Sequence, residues 1–342
     1  MFDHNKYKLS KKGVENYFWP VDRSDMTSLM NSIIAETTGY FIKLNKENAN
    51  SEFNDFRITN LYFILKMLNL YQDKLLIKNR IKIGELDLGS SFNGELGYLA
   101  IVKNGLRKDF KKKHIISMTL RNYLATIVRR DGFIRKDISS LDINLGKDII
   151  CTGVSPLAEK YLKKLNQNAY QIRITDFFPG ANSDDLKKNI AKERNEIIIP
   201  REYEKYVEIF INLFEQHNIN LSENDLKDAL EWHKEFLICI SYYRDILINQ
   251  ARFIPSKLWT TSAGILWNKI LAIEVRKRGG VVTVFDHAYG ANLTLSSTMP
   301  LVEFQEVDEF VTHSDTFVEY LIDASKNQLY SDKLPNLISI KQ

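Results

Sequence analysis

The sequence contains little cysteine, little proline and no long apolar run. Its 342 residues include two cysteines and seven prolines. Cys151 and Cys239 both stand among apolar neighbours, which is typical of buried free thiols rather than of a disulfide or a metal site. No apolar segment approaches the roughly 20 residues that cross a bilayer, and the charged stretch from Met1 to Lys12 lacks the apolar centre of a signal peptide. We therefore expect a globular, cytoplasmic protein.

The chain also lacks a strong excess of one charge. Its 47 basic and 43 acidic residues leave a net charge of +4, which gives no global sign of nucleic-acid binding. Positive charge is concentrated locally, in the run 106–114, at Arg129-Arg130 and at Arg135-Lys136. We expect a solvated face there, and the alternative is a peripheral contact with the inner membrane or with an anionic acceptor.

Several common catalytic signatures are missing as well. The chain has no Walker loop and no Gly-x-Ser-x-Gly elbow. His233 has Glu235 two residues away and no second histidine four residues away, so a metal-binding helix is not indicated. We therefore expect no metal site and no bound cofactor.

Alternating strand and helix patterns occupy much of the chain. Most short apolar runs are followed by an amphipathic stretch of helical period, and this alternation predicts an α/β fold with a parallel sheet. The runs predicted as strands in this way are Lys82–Leu88, His114–Met118, Asp148–Thr152, Tyr170–Thr175, Val281–Phe285 and Glu309–Thr312.

Two longer helical patterns divide this alternation. The second of them follows Ser222, a favourable N-cap. We predict an N-terminal α/β domain with a helical N-terminal extension over residues 1–200, a helical connector over 201–252 and a second α/β domain over 253–342. The second domain has about 90 residues where a doubly wound domain usually has ~100 to 150, so we expect it to be abbreviated.

The segment from Lys257 to Gly290 carries the strongest functional signal. Its predicted first strand ends in the loop Thr260-Thr-Ser-Ala-Gly264, which offers hydroxyl groups and little steric bulk at the expected start of a helix. Amides at a helix N-terminus lack partners within the helix, and the helix dipole favours an anion there. We therefore predict that this loop binds a phosphate.

A second polar loop follows the next strand of this segment. The intervening helix ends at Gly279-Gly280, and the apolar run Val281–Phe285 then suits a strand covered on both faces. Asp286 and His287 come directly after that run, at the carboxyl end where open α/β sheets bind ligands. The simpler alternative is a strand–helix–strand unit that binds nothing.

The motifs of residues 257–320 resemble a known family. The Trp-Thr-Thr-Ser-Ala-Gly loop, the Arg-Lys-Arg-Gly-Gly turn and the Phe-Asp-His-Ala-Tyr-Gly loop are similar to the nucleotide-binding half of bacterial GT-B glycosyltransferases. The resemblance is to enzymes that use CMP-activated acidic sugars such as Kdo in capsule, lipopolysaccharide and O-antigen synthesis. It implies two Rossmann-like domains of the GT-B type, a nucleotide sugar as the donor and a glycan or lipid-linked glycan as the acceptor.

The resemblance also implies roles for particular residues. A histidine at the position of His287 would contact the CMP phosphate, and Ala288 departs from the proline or glycine that commonly follows it. The other residues implied in nucleotide binding are Thr261, Ser262, Gly264, Gly290, Thr312 and Ser314.

Transfer to an acceptor hydroxyl needs a base as well as a site for the departing phosphate. Glu95, in the glycine-rich loop 89–97, is the first candidate, and Asp176, at a predicted strand end, is the second. Ser90 and Asn93 of the same loop are candidates for acceptor binding. The structural alternatives are a helix N-terminal charge for Glu95 and a turn cap for Asp176.

Two other functions are compatible with the sequence. The stretch 86–97 also resembles the first motif of S-adenosylmethionine-dependent methyltransferases, although the next predicted strand ends without the acidic residue that usually binds the ribose. A non-catalytic partner subunit would account for Ala288 and for the short second domain.

Overall fold

A computed structural model gives the arrangement of most of the chain beyond residue 147. The structure describes residues 148–167, 169–179, 201–216, 220–249, 254–286, 299–325 and 334–340, with shorter pieces at 32, 35–36, 39, 61–63, 67, 82–83, 86–87, 133–135, 188 and 192. Within these ranges, no helix is both long enough and apolar enough to cross a membrane.

The chain divides into two compact units, and each is built from separated stretches of sequence. The first comprises Met1–Ile33, Tyr62–Val128 and Arg201–Leu230, and the second comprises Ile34–Leu61, Arg129–Pro200 and Glu231–Gln342. This division differs from the predicted boundaries near residues 200 and 253.

In the first unit, the stretch predicted as one strand over Lys82–Leu88 forms two short strands. Strand β1, Lys82–Ile83, pairs antiparallel with β2, Leu86–Asp87, so the chain reverses between them. The two connecting residues are Gly84 and Glu85, and a two-residue connection that begins with glycine favours a hairpin. The prediction of a strand that leads straight into the glycine-rich loop is therefore corrected.

The second unit contains a seven-stranded sheet in which all neighbours are parallel, so the prediction of an α/β fold is confirmed. The spatial order is β3-β5-β4-β6-β7-β8-β9. The strands are β3 Phe133–Arg135, β4 Ile149–Cys151, β5 Ala169–Gln171, β6 Lys257–Thr260, β7 Val281–Phe285, β8 Glu309–Thr312 and β9 Asn336–Ser339.

Strands from both predicted α/β domains belong to this one sheet. Ile149 of β4 stands opposite Lys257 of β6, so strands from residues 1–200 and from 253–342 are hydrogen-bonded neighbours. The described residues therefore form one doubly wound sheet instead of two separate ones. The short strands β3 and β9, at the two edges, were not predicted because neither stands out as an apolar run, whereas the predicted strand His114–Met118 lies outside the described residues.

Helices follow most of the strands. They are α1 Pro156–Leu165, α2 Arg201–Gln216, α3 Glu223–Asn249, α4 Leu266–Lys277, α5 Met299–Glu303 and α6 Asp315–Ser325, with a 3₁₀ turn at Ile174–Phe177. The predicted N-cap of α3 is confirmed: the Asp225 amide donates to Ser222 Oγ at 3.2 Å, and the Ser222 amide donates back to the Asp225 carboxylate at 2.9 Å. Gly279 ends α4 with φ 76°, as its position predicts.

The direction of the chain reverses at β4. From β4 the chain moves to β5 on one side, and it later returns to β6 on the other side and continues through β7, β8 and β9 in one direction. Right-handed crossovers in opposite directions place α1 and α4 on opposite faces of the sheet. The neighbouring pair β4 and β6 is therefore the topological switch point, where open α/β sheets form a crevice at their carboxyl ends.

The face covered by α1 has an aromatic and aliphatic core. Tyr161 of α1 packs on Trp259 of β6 and Phe285 of β7, with ring centroids 5.6 and 5.9 Å apart. Cys151 lies in the same core and is a buried free thiol, as predicted. Burial raises the pKa of this thiol well above its usual value, which makes it an unreactive core group.

Candidate functional site

Two loops meet at the switch point. The first, residues 152–155, connects β4 to α1, and the second, residues 261–265, connects β6 to α4. Because β4 and β6 are parallel neighbours, both loops lie at the same edge of the sheet. The N-termini of α1 and α4 therefore bring two positive dipole ends to one crevice.

The first loop supplies the side-chain cap of α1, the helix that follows it. Ser155, the N-cap of α1, accepts a hydrogen bond on Oγ from the Ala158 amide at 3.2 Å. Pro156 follows as the first helical residue, where its missing N–H costs nothing. Ser155 is buried, so this helix start is satisfied within the chain.

The two loops touch directly at a glycine. A Cβ atom on Gly153 would overlap Thr261 Oγ1 and would lie 3.1 Å from the Thr261 amide nitrogen. Only glycine allows the two loops to approach this closely.

Asn268, on the first turns of α4, links the same two loops. Its Oδ1 atom accepts a hydrogen bond from Thr152 Oγ1 at 3.0 Å, and its Nδ2 group donates to the Ser262 carbonyl at 2.7 Å. The side chain is only 4% exposed, so both bonds are made in a largely dry setting. Asn268 thereby fixes the spacing of the crevice.

The second loop leads into α4, and this helix start has no side-chain cap. Its N-cap residue is Ile265, whose side chain makes no capping hydrogen bond and is 49% exposed. The Ser262 amide donates to Thr260 Oγ1 at 3.3 Å. The Ala263 amide donates to the carboxylate of Glu303, with 2.7 Å between N and Oε2. A carboxylate from elsewhere in the chain therefore occupies the loop that was predicted to bind an anion.

A second glycine permits this contact. A Cβ atom on Gly264 would lie 2.5 Å from Val302 Cγ1 and 3.1 Å from Glu303 Oε1. Helix α5, which ends at Glu303, can approach the loop only because residue 264 has no side chain.

A buried lysine holds the chain on both sides of Glu303. Lys269 of α4 is 1% exposed, and its ammonium group donates to the carbonyls of Val302 at 3.0 Å and Gln305 at 2.6 Å. These contacts place a positive charge at the C-terminal end of α5, where the helix dipole favours it. The backbone around Glu303 is thus tied to α4.

Polar groups at the ends of β7 and β8 are bonded to each other. Asp286 is 4% exposed, and its amide donates to the Val311 carbonyl at 2.9 Å. Thr312 is fully buried, and its hydroxyl donates to Asp286 Oδ2 at 3.4 Å. In this conformation Thr312 serves to orient Asp286, the residue that precedes His287.

The structure brings some of the predicted site residues together and separates others. Thr261, Ser262 and Gly264 lie in the second loop, half-buried at the crevice. Thr312 and Ser314 lie at the end of β8, about 10 Å away if strands are spaced ~4.8 Å apart. The predicted residues that lie outside the described ranges are Ser90, Asn93, Glu95, His287 and Gly290.

Asp176 lies at the same edge of the sheet but on the other side of β4. It belongs to the 3₁₀ turn that follows β5, and its amide donates to the Arg173 carbonyl at 3.0 Å. The carboxylate is half-buried in the first turn of this element. The position is compatible both with the predicted base and with a turn residue.

Sequence reasoning missed several residues of the crevice. Ser155-Pro156 is a recognisable helix start, and it could have identified the first loop as a second helix N-terminus. No local pattern identifies Asn268 or Glu303, because their partners come from other elements.

In the described part of the chain, metal-ligating side chains do not cluster. No group of three or more His, Cys, Asp or Glu side chains that could hold a metal ion occurs there. His233 is buried, and burial lowers its pKa to about 3, so its ring is neutral at physiological pH.

No family model, no curated protein and no solved structure matches the chain. The chemistry of the crevice therefore has to be inferred from its own geometry and from the sequence motifs around it.

Proposed function

We propose that the crevice between residues 152–155 and 261–265 binds the phosphate of a nucleotide-activated substrate. The observation that carries the proposal is the carboxylate of Glu303 on the Ala263 amide, at a topological switch point. An anion is already accommodated at this position, and two helix N-termini face the same crevice. A phosphate oxygen could accept the same hydrogen bond.

The hydroxyl groups of the second loop would add to this binding. Thr261 and Ser262 are half-buried at the crevice, so both are within reach of solvent and of a ligand. Hydrogen bonds to a charged phosphate contribute about 1.5 to 3 kcal/mol each. Asn268 keeps the loop in place through the Ser262 carbonyl. Binding of this kind would be organised before the ligand arrives.

We further propose that the chain is a glycosyltransferase that moves an acidic, Kdo-like sugar from a CMP-activated donor to a surface-polysaccharide acceptor. The motifs of residues 257–290 support this choice, because they resemble the donor half of such enzymes. The donor domain would then be the unit with the seven-stranded sheet, whose strands extend from residue 133 to residue 339. A GT-B arrangement would require the acceptor half to come from the other unit.

Each of the predicted site residues would have its own role in the reaction. His287 would follow Asp286 at the end of β7 and contact the phosphate of the donor. Thr261, Ser262 and the loop amides would stabilise the charge that develops on the departing phosphate. Glu95 or Asp176 would accept the proton of the acceptor hydroxyl.

The methyltransferase alternative has less support. It requires a strand that leads into the glycine-rich loop 89–97, whereas the described residues before that loop form the antiparallel pair of β1 and β2. A non-catalytic partner subunit makes a different prediction, since it would bind none of the substrates.

Thermal unfolding with CMP, cytidine, UDP and S-adenosylmethionine tests the proposal. CMP at about 100 times its Kd should add about 2.7 kcal/mol to the free energy of unfolding, and cytidine, which lacks the phosphate, should add much less. Stabilisation by S-adenosylmethionine alone would refute the glycosyltransferase. Stabilisation by none of the four would favour the partner subunit.

Two variants test where CMP binds. His287→Ala should remove the shift caused by CMP. Ser262→Ala should weaken CMP binding by about tenfold or more, since a hydrogen bond to a charged group is lost. Ser256→Ala is the matched control, because Ser256 precedes β6 at the opposite end of the strand. Equal effects of the two serine variants would place the nucleotide elsewhere.

A further inference from the structure

The carboxylate of Glu303 contacts the second loop itself and does not cap α4. An N-cap side chain at position 265 would accept from the amides of residues 267 and 268, whereas Glu303 accepts from the Ala263 amide, two residues before that N-cap. Helix α1 differs, because its N-cap residue Ser155 accepts from the Ala158 amide. A carboxylate from 40 residues along the chain therefore occupies a loop amide that helix capping does not involve.

The backbone on both sides of Glu303 is held by a buried lysine, whereas the Glu303 side chain is half-buried. Lys269, almost fully buried, binds the carbonyls of Val302 and Gln305 on either side of it. Glu303 itself is half-buried, so solvent reaches its side chain. Rotation about the side-chain bonds would remove the carboxylate from the loop without any change in α5.

We propose that Glu303 is an internal competitor of the ligand phosphate, and this inference rests on the proposed function. In the free protein its carboxylate occupies the Ala263 amide, and the phosphate takes that place only when the side chain rotates away. The carboxylate thereby keeps the loop in its binding conformation and lowers the apparent affinity for weak anions. A ligand with further contacts, such as a nucleotide, overcomes the competition, whereas inorganic phosphate alone does not.

The size of the effect follows from simple competition. The apparent Kd equals the intrinsic Kd divided by the fraction of protein in which the site is vacant. A charged acceptor forms a hydrogen bond about twice as strong as a neutral one. Replacement of the carboxylate by an amide keeps an acceptor for the Ala263 amide but weakens it and removes its charge. We expect Glu303→Gln to bind CMP about tenfold more tightly than the wild type.

Calorimetric titration of the full chain with CMP, and separately with inorganic phosphate, tests whether the Glu303 carboxylate competes with the ligand. Glu319→Gln is the matched control, because Glu319 is an exposed residue of α6 and the variant makes the same change in net charge. Circular dichroism of the free proteins checks their folding. If Glu303→Gln does not fold, Glu303→Asp replaces it, since the shorter side chain withdraws the carboxylate from Ala263.

The outcomes separate this inference from the proposed function. Tighter CMP binding by Glu303→Gln, with Glu319→Gln unchanged, supports both. Equal or weaker CMP binding by Glu303→Gln overturns the competitor and leaves the nucleotide site intact. If none of the proteins binds CMP, the proposed function is wrong, and the titrations with inorganic phosphate then test the competition by Glu303. Tighter phosphate binding by Glu303→Gln supports the competition, and equal or absent phosphate binding overturns it.

Discussion

The two loops at the switch point, before α1 and before α4, are completed by different kinds of contact. The N-terminus of α1 is closed by Ser155 and Pro156, which are adjacent in sequence. The start of α4 has no side-chain cap, and the loop before it binds a carboxylate from α5. The first loop is therefore completed by its own residues, whereas the second depends on an acidic side chain from another element, and we propose that a ligand phosphate exchanges with that side chain.

The largest expected effect comes from the lysine that supports the second helix start. Lys269→Met should lower the free energy of unfolding by about 3 kcal/mol, because one buried and one partly buried carbonyl lose their donor. Urea denaturation measures the change. Lys164→Met, on the exposed side of α1, is the control and should stay within about 0.5 kcal/mol. A loss below 1 kcal/mol for Lys269→Met would mean that α5 is held by other contacts.

The contact between the two loops should have the next largest effect. Gly153→Ala should destabilise the protein by about 2 kcal/mol, because the new methyl group overlaps Thr261. Gly39→Ala is the control, since a Cβ atom there meets nothing within 4 Å. Denaturation curves for the two variants measure the difference. Equal stability of both would show that the loops do not approach each other as described.

The smallest effects compare the two caps directly. Ser155→Ala should cost about 1 kcal/mol, because α1 loses its only described side-chain cap. Ile265→Ser should have the opposite sign and add about 0.5 to 1 kcal/mol, because it gives α4 a local cap and removes a side chain that is 49% exposed. Thermal unfolding of both variants measures these changes. Changes of the same sign would remove the distinction between the two helix starts.

Local signals were sufficient for the elements on which the second loop depends. The segments Val281–Phe285 and Glu309–Thr312 are strands with the predicted ends, and the glycine pair ends α4 where it was expected. The position of Thr261, Ser262 and Gly264 in a loop was predicted correctly, because a loop between a strand and a helix is visible in a few adjacent residues.

Long-range pairing could not be predicted from the same signals. An apolar run indicates a strand but not its neighbour, so the sequence did not reveal that β4 lies beside β6. That pairing joins strands of both predicted domains in one sheet and brings the two loops to one crevice. The contact between Glu303 and Ala263 could not be predicted for the same reason, because a contact across 40 residues has no local pattern. The role of Thr312 as a partner of Asp286 also becomes visible only in the fold.

The pairing of β4 with β6 has a consequence for the order in which the molecule folds. Ile149 and Lys257 are farther apart along the chain than the partners in any other described pair of neighbouring strands. Closing the longest loop carries the largest entropic cost, and parallel pairing offers no hairpin from which to start. We expect β6 to β9 to assemble early and β4 to join them late. The crevice would then be among the last of the described parts to form, so its appearance would report that the sheet is complete.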